Sequence, residues 1–281
     1  MELVLQAALL GILQGLTEFI PVSSSAHLEL APWIAGWPAG GLLGSLSFDV
    51  FLHLGTVVAL LAYFGRDWLR LLGAAIASIR DRRIGADPDR RLAWLLILAT
   101  IPGALIGFVG EDLINRVLHA DSDPVRLAIA GFMVIGAAGL WLADRLGSRR
   151  REIEGLDPPG ALAIGLSQAL ALLPGISRSG ATITTGLILG LTRESAARFS
   201  FLLATPITLG AGLYGSRKLL EASHTGNEWL ALGVAFVAAA LSGILAISFL
   251  LAWLRRRSLT VFSLYRLAFA ALIVALVAAG R

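Results

Sequence analysis

The chain has no cysteine, so it carries neither a disulfide framework nor thiol chemistry. Charge is scarce as well: Asp, Glu, Lys and Arg make up 15% of the 281 residues, against 57% for the AVILMFWYC class. A soluble domain of this length needs far more charge on its surface, so the composition excludes a water-soluble globular fold. Also missing is any basic stripe with interleaved aromatics. The net charge of +4 and pI near 10.3 therefore do not signal nucleic-acid binding, and no nucleic-acid partner is expected. They come from arginine clusters between apolar runs. Met1-Glu2 leads straight into an apolar stretch with no basic n-region or cleavage site, so no cleaved signal is expected.

What the sequence does have is long apolar runs. Six segments, at 48–65, 92–110, 126–144, 195–214, 229–252 and 261–279, approach the roughly 20 residues that cross a bilayer as helix. Two further apolar regions are interrupted. Region 3–35 breaks at Pro21-Val22-Ser23-Ser24-Ser25, and 160–191 breaks at Pro174-Gly175-Ile176-Ser177-Arg178-Ser179-Gly180. Irregular backbone at membrane depth is tolerated only where protein or a wet cavity surrounds it. The expected fold is therefore all-α and polytopic, with six transmembrane helices and two re-entrant helical hairpins, all in one transmembrane domain over 1–281.

Arginines fix the orientation. Connections 66–91, 145–151 and 255–257 carry Arg clusters and are expected in the cytoplasm, whereas 111–125 holds Glu111, Asp112, Asp121 and Asp123 against Arg116. The two broken regions also resemble each other: Gly11-x-x-Gln14 and Gly165-x-x-Gln168 each open a helix that ends near proline and a serine-rich turn, with three spans after it. Repeat 1 (1–145) and repeat 2 (158–281) would then be inverted, and their polar turns would share one cavity near the midplane.

Those turns hold the residues that carry chemistry. Gln14 and Glu18 lie four apart on one helix face, and Ser23, Ser24, Ser25 and His27 follow the break. An ionisable residue inside a membrane segment is costly and points to function, although Glu18 and the serines could also cap the next helix. In the second turn Ser177, Arg178, Ser179 and Thr182 suit an anion. The guanidinium can grip phosphate oxygens in pairs, and the amides of 179–182 open a helix. A purely structural Glu18–Arg178 bridge is the plainer alternative. Asp49, at the entry of a span, either faces the site or is an ordinary interfacial residue. His53 reads as packing, and Arg266, beside Tyr265 in the last span, reads as half of an interhelical pair. Glycines at 131–139 and at 186 and 190 read as close helix packing.

The segments Gln14-Gly-Leu-Thr-Glu18-Phe-Ile-Pro21-Val-Ser-Ser-Ser-Ala-His27 and Pro174-Gly-Ile-Ser177-Arg178-Ser-Gly-Ala-Thr182 resemble the two signatures of the bacterial undecaprenyl-pyrophosphate phosphatase, or bacitracin-resistance, family. The resemblance spans the chain and includes Phe48-Asp49 and Tyr265-Arg266. It implies hydrolysis of a C55 prenyl diphosphate lipid to its monophosphate and inorganic phosphate, recycling the carrier for peptidoglycan synthesis and giving bacitracin resistance. It also implies a multi-pass protein of the bacterial cytoplasmic (inner) membrane, a site open to the outer side, and a divalent cation, Mg or Ca. Carried over by position, Glu18, Ser24, His27 and Arg178 are the catalytic group. Gln14, Ser23, Ser25, Ser177, Ser179 and Thr182 line the substrate, and Glu18 with Asp49 faces the metal. Position 14 is Gln where many members have Glu, leaving fewer carboxylates for a cation, and Ala26 stands where Gly is frequent. Ser24, His27 or an activated water could each be the nucleophile. A transporter or lipid flippase for a phosphate-bearing substrate is the competing class, since inverted repeats with broken helices are common there. Bilayer lipid is the constant partner, and a homodimer is the expected assembly if there is one.

Overall fold

The computed structural model describes residues 1–37, 40–118 and 122–280. The chain folds into α1 (Glu2–Phe19), α2 (Ser24–Ala35), α3 (Leu46–Arg80), α4 (Pro88–Leu118), α5 (Asp123–Leu146), α6 (Pro158–Ser167), α7 (Arg178–Ile188), α8 (Arg193–Glu221), α9 (Gly226–Leu254) and α10 (Thr260–Ala278). Short 3₁₀ segments occupy Ile153–Gly155 and Gln168–Leu172. There is no strand among the described residues, as the all-α reading required. The protein is a multi-pass membrane protein.

Among the described residues seven helices, against the six spans expected, are long and apolar enough to cross a membrane. The addition is α1, whose 18 residues span about 27 Å at 1.5 Å per residue. Helix α1 ends at Phe19, where the break at Pro21 was expected, and length alone separates this arm from the shorter α2, so the count differs by length and composition only. The connections also shrink. Helix α3 continues through Arg66 to Arg80, with non-helical geometry at Phe64, and α4 begins at Pro88, so only 81–87 of 66–91 is loop. Of the acidic stretch at 111–125, residues 111–118 continue α4, and Asp121 lies outside the described residues.

Ion pairs gather the arginine-bearing ends at one end of the bundle. Arg70 of α3 meets Asp89 of α4 at 3.2 Å, and Arg198 of α8 meets Asp67 of α3 at 2.7 Å. Arg255, just past α9, meets Glu194 of α8 at 3.0 Å. Buried Asp144 of α5 takes Arg193 of α8 and the Leu259 amide (2.9 Å) at the start of α10. Only Asp144 is buried deeply enough to need its partners; the other pairs are partly exposed and align the helix ends at little gain in stability.

Glycines set the course of the broken helices. Gly11 and Gly15 of α1 lie against the backbone of Ala235 and Ala239 of α9, so close that any Cβ would overlap it. Without a hydrophobic drive between helices in lipid, such close van der Waals contact is what holds them. The pairing runs parallel, so α1 starts at the end remote from the arginines. Gly165 of α6 packs likewise on Ala99 of α4, which starts at the arginine end. Hence α1 and α6 enter the bundle from opposite ends. Helix α2 then heads back to the remote end, where Trp33 lies under Arg126 of the first turn of α5 (4.6 Å). Helix α7 returns to the arginine end, where the Gly190 carbonyl accepts from the Arg150 amide at 3.0 Å. The two turns between these arms meet inside the bundle.

Candidate active site

Each turn begins where proline denies the helix an amide donor. In the first, the chain leaves α1 at Ile20 (ψ 133°) and passes Pro21 to Ser23, which adopts φ +78°. In the second, Pro174 precedes Gly175 (φ +109°), and Ser177 adopts φ +73°. A non-glycine residue in that region costs about 1–3 kcal/mol and persists where surrounding bonds over-determine it. They do so here. The Ser23 carbonyl accepts from the His27 amide (3.3 Å) and is 2.7 Å from His27 Nδ1, and the Ser177 carbonyl accepts from the Ala181 amide (2.8 Å). Ser177 Oγ caps α7 by accepting from the Gly180 amide at 3.1 Å. One bond joins the turns directly: the Gly175 amide donates to Ser23 Oγ at 3.1 Å.

Glu18, with its side chain 5% exposed, is the centre of the arrangement. Ser24 Oγ donates to Glu18 Oε2 at 2.6 Å, and Gln14 Nε2 donates to the same oxygen at 3.2 Å. The other oxygen, Oε1, takes Arg178 from the second turn, and Arg178 also donates to Thr208 Oγ1 and to the Ala204 carbonyl (3.4 Å) of α8. His53 Nε2 lies 3.6 Å from Glu18 Oε2. A carboxylate held by a guanidinium, a hydroxyl and an amide is a satisfied buried anion. Its partners come from α1, α2, α3 and α7, so the cluster exists only in the folded bundle.

The remaining candidates divide. Ser177 and Ser179 are buried with hydroxyls 3.2 Å apart, and Ser23 and Ser25 show the same spacing, Ser25 on the exposed side. Thr182 is turned away from Glu18: its hydroxyl donates to the Arg178 carbonyl at 2.8 Å and pairs with Ser200 Oγ at 2.6 Å. His27 is buried and not in contact with Glu18. Its Nε2 pairs with Tyr265 Oη at 2.7 Å, and its ring stacks on Phe269 at 4.4 Å. Asp49 sits in the first turn of α3, where its carbonyl lies 2.9 Å from His53 Nδ1. No hydrogen bond or ion pair joins Asp49 to Glu18 among the described residues.

Three neighbours escaped the sequence reading. His53 was taken as packing, although its i,i+4 spacing from Asp49 on an apolar span was an available signal. Thr208 left no signal, because a lone threonine after Pro206 looks like any helix interior. Arg266 has no carboxylate partner among the described residues, contrary to the interhelical pair expected of it. Its Nη2 instead donates to the carbonyls of Gly175 (2.6 Å) and Ile176 (3.0 Å). The chain is helical there, so spacing alone could not show that its partner would be a loop 90 residues earlier.

Among the described residues no group of three or more His, Cys, Asp or Glu side chains is arranged to hold a metal ion. Glu18, the one carboxylate at the centre, already has both oxygens engaged. The residues present do not make a protein-built cation cage.

The family described as "Bacitracin resistance protein BacA" matches residues 7–272. Curated relatives cover almost the entire chain. A protein of Thermomicrobium roseum is 42% identical over 278 residues, 98% of this chain and 99% of that protein. Relatives from Moorella thermoacetica and Rubrobacter xylanophilus are each 45% identical, covering 97% of this chain and of their own length. All three carry the name undecaprenyl-diphosphatase. With both signature turns in place and the match running end to end, the chain belongs to the bacitracin resistance protein BacA family.

Proposed function

We propose that this protein is a membrane-embedded phosphatase that hydrolyses undecaprenyl diphosphate to undecaprenyl phosphate and inorganic phosphate, the activity its relatives are named for. One observation carries the reading for this chain: Ser24 Oγ donates to Glu18 Oε2 at 2.6 Å while Arg178 holds the other oxygen. A nucleophile on a base, beside a cation suited to phosphate, is the arrangement acyl- and phosphoryl-transfer sites share. An anion porter needs the arginine and the helix ends but has no use for the hydroxyl–carboxylate contact.

In the unliganded form Arg178 neutralises Glu18. A diphosphate competes for the guanidinium with its own oxygens, which frees the carboxylate to take the Ser24 proton. Ser24 Oγ then attacks the terminal phosphorus in line, the bridging P–O bond breaks, and the lipid monophosphate leaves. Water hydrolyses the resulting phosphoserine to free phosphate. The α7 amides and Arg178 stabilise charge on the transferring group. The His27 ring nitrogens are both engaged away from Glu18, which supports Ser24 over His27 as nucleophile. No step is routed through a cation. Mg or Ca remains part of the proposal as an ion arriving with the diphosphate, because Mg commonly binds through substrate oxygens and few protein groups.

Placement follows from charge. The arginine-rich ends mark the cytoplasmic side by the positive-inside rule. Along α3, His53 lies 14 residues from Asp67, about 21 Å, which supports a site nearer the outer side of the bacterial inner membrane. The opposite entry of α1 and α6, and the turning back of α2 and α7, support two re-entrant hairpins in inverted repeats over 1–145 and 158–281. A homodimer is kept as a proposal that light scattering of the detergent-solubilised protein can test. The functional test is to incubate purified protein with undecaprenyl diphosphate and resolve the products. Equal amounts of monophosphate lipid and inorganic phosphate are expected. Unchanged lipid under every divalent cation would turn the reading toward transport.

A further inference from the structure

Arg266 is the largest of the fully buried side chains, at 0% exposure, and it is a cation in the middle of an apolar helix. Burying an unpaired guanidinium is among the costliest arrangements a membrane protein can hold, and such residues mark function by default. Its Nη2 bridges the carbonyls of Gly175 and Ile176, while Nε and Nη1 have no hydrogen-bond partner among the described residues. Two glycines make room for it. A Cβ on Gly136 of α5 would overlap Nη2 and fall 2.7 Å from Cζ, and one on Gly180 of α7 would lie 3.0 Å from Nη1. The guanidinium thus sits behind the second turn, against the two residues that precede Ser177 and Arg178.

We infer that Arg266 is a positioning residue for the diphosphate site: it clamps the Gly175–Ile176 backbone so that Ser177 holds its left-handed conformation and Arg178 projects toward Glu18 and Ser24. The inference rests on the phosphatase reading above and extends it to a residue that touches neither Glu18 nor Ser24. The clamp is chemically selective. One nitrogen, Nη2, reaches both carbonyls while the planar head fills the space left by Gly136 and Gly180; a lysine ammonium can donate to a carbonyl but leaves that planar slot unfilled. The positive charge behind the turn adds to the α7 helix end in drawing an anion to the front, and it is uncompensated by any carboxylate among the described residues. An incoming diphosphate supplies that compensation.

The test uses the full chain in detergent with undecaprenyl diphosphate, and measures kcat, KM and melting temperature for Arg266→Met, Arg266→Lys and Gly136→Ala. Gly136→Ala keeps the charge at 266 but displaces the guanidinium, so it probes position alone. Since a shift of about 1 Å in a catalytic group costs about 100-fold, Arg266→Met and Gly136→Ala should each lower kcat about 100-fold with KM changed far less. Arg266→Lys should recover about tenfold of that. The readout that a merely structural role would not move is a double-variant cycle. In an Arg178→Lys background, Arg266→Met should cost less than about threefold, because the clamp acts through the Arg178 fork. Full additivity of the two losses overturns the inference, as does wild-type kcat in Gly136→Ala. If Arg266→Met fails to fold, the same cycle run with Gly136→Ala decides. A wild-type protein that releases no phosphate would instead defeat the functional reading on which the inference stands.

Discussion

Replacing Arg178 by Met separates the stability of the site from its chemistry. The Glu18 side chain is 5% exposed and that of Arg178 17%, so the substitution strands a carboxylate inside the bundle. Breaking a buried pair by removing one partner costs about 3–5 kcal/mol. Ser24 and Gln14 still donate to Glu18, which favours the lower end, about 3 kcal/mol. At about 2–4 °C per kcal/mol, the melting temperature should fall about 6–12 °C. Adding Glu18→Gln removes the stranded charge, and because a buried ion pair roughly breaks even against neutral groups, the double variant should regain most of that loss. Activity should behave differently. An arginine that stabilises the transferring phosphoryl group is worth about 10³-fold or more, and neither variant should recover it. The assay pairs a melting curve with phosphate release from the lipid diphosphate. A double variant that melts as low as Arg178→Met, or an Arg178→Met protein with wild-type turnover, would refute the charge-pair reasoning.

Three further outcomes follow from the same geometry. Gly15→Ala drives a Cβ into Ser242 Oγ and the Ala239 carbonyl, so α1 should detach from α9, with a fall in folded yield that Gly65→Ala, in open space, does not show. Purified protein should hold no stoichiometric Mg or Ca by elemental analysis, yet lose turnover in EDTA and regain it with either ion. A tightly bound ion that co-purifies would contradict the substrate-borne cation. Ser23→Ala removes the acceptor of the Gly175 amide, and a buried donor left unsatisfied costs about 1–3 kcal/mol, so melting temperature and turnover should fall together.

Much of this was legible in the sequence, because the bilayer leaves few options. Apolar length marks spans, arginine clusters mark one end of the bundle, and a proline followed by serines inside an apolar run points to a buried turn. The convergence of Glu18 with Arg178, 160 residues apart, was readable from the duplicated plan of the two broken regions. What escaped depends on direction rather than type. Thr182 lies one turn after Arg178 on α7, yet its short side chain bonds back to the Arg178 carbonyl and to Ser200, while the longer Arg178 side chain extends to Glu18. His27 follows Ser24 by one turn but stacks on Phe269, because α10 packs on that face of α2. Arg266 was misread for the opposite reason: a buried cation suggested a carboxylate, and the groups it found were backbone carbonyls freed by the break in the second region.

In the proposed reaction Ser24 and Glu18 work as nucleophile and base where the two turns meet. The most direct measurement is the turnover of Ser24→Ala on undecaprenyl diphosphate, alongside its melting curve. Melting near wild type, with phosphate release down about 10³-fold or more, is the predicted result. Turnover within about threefold of wild type in a well-folded Ser24→Ala protein would contradict it.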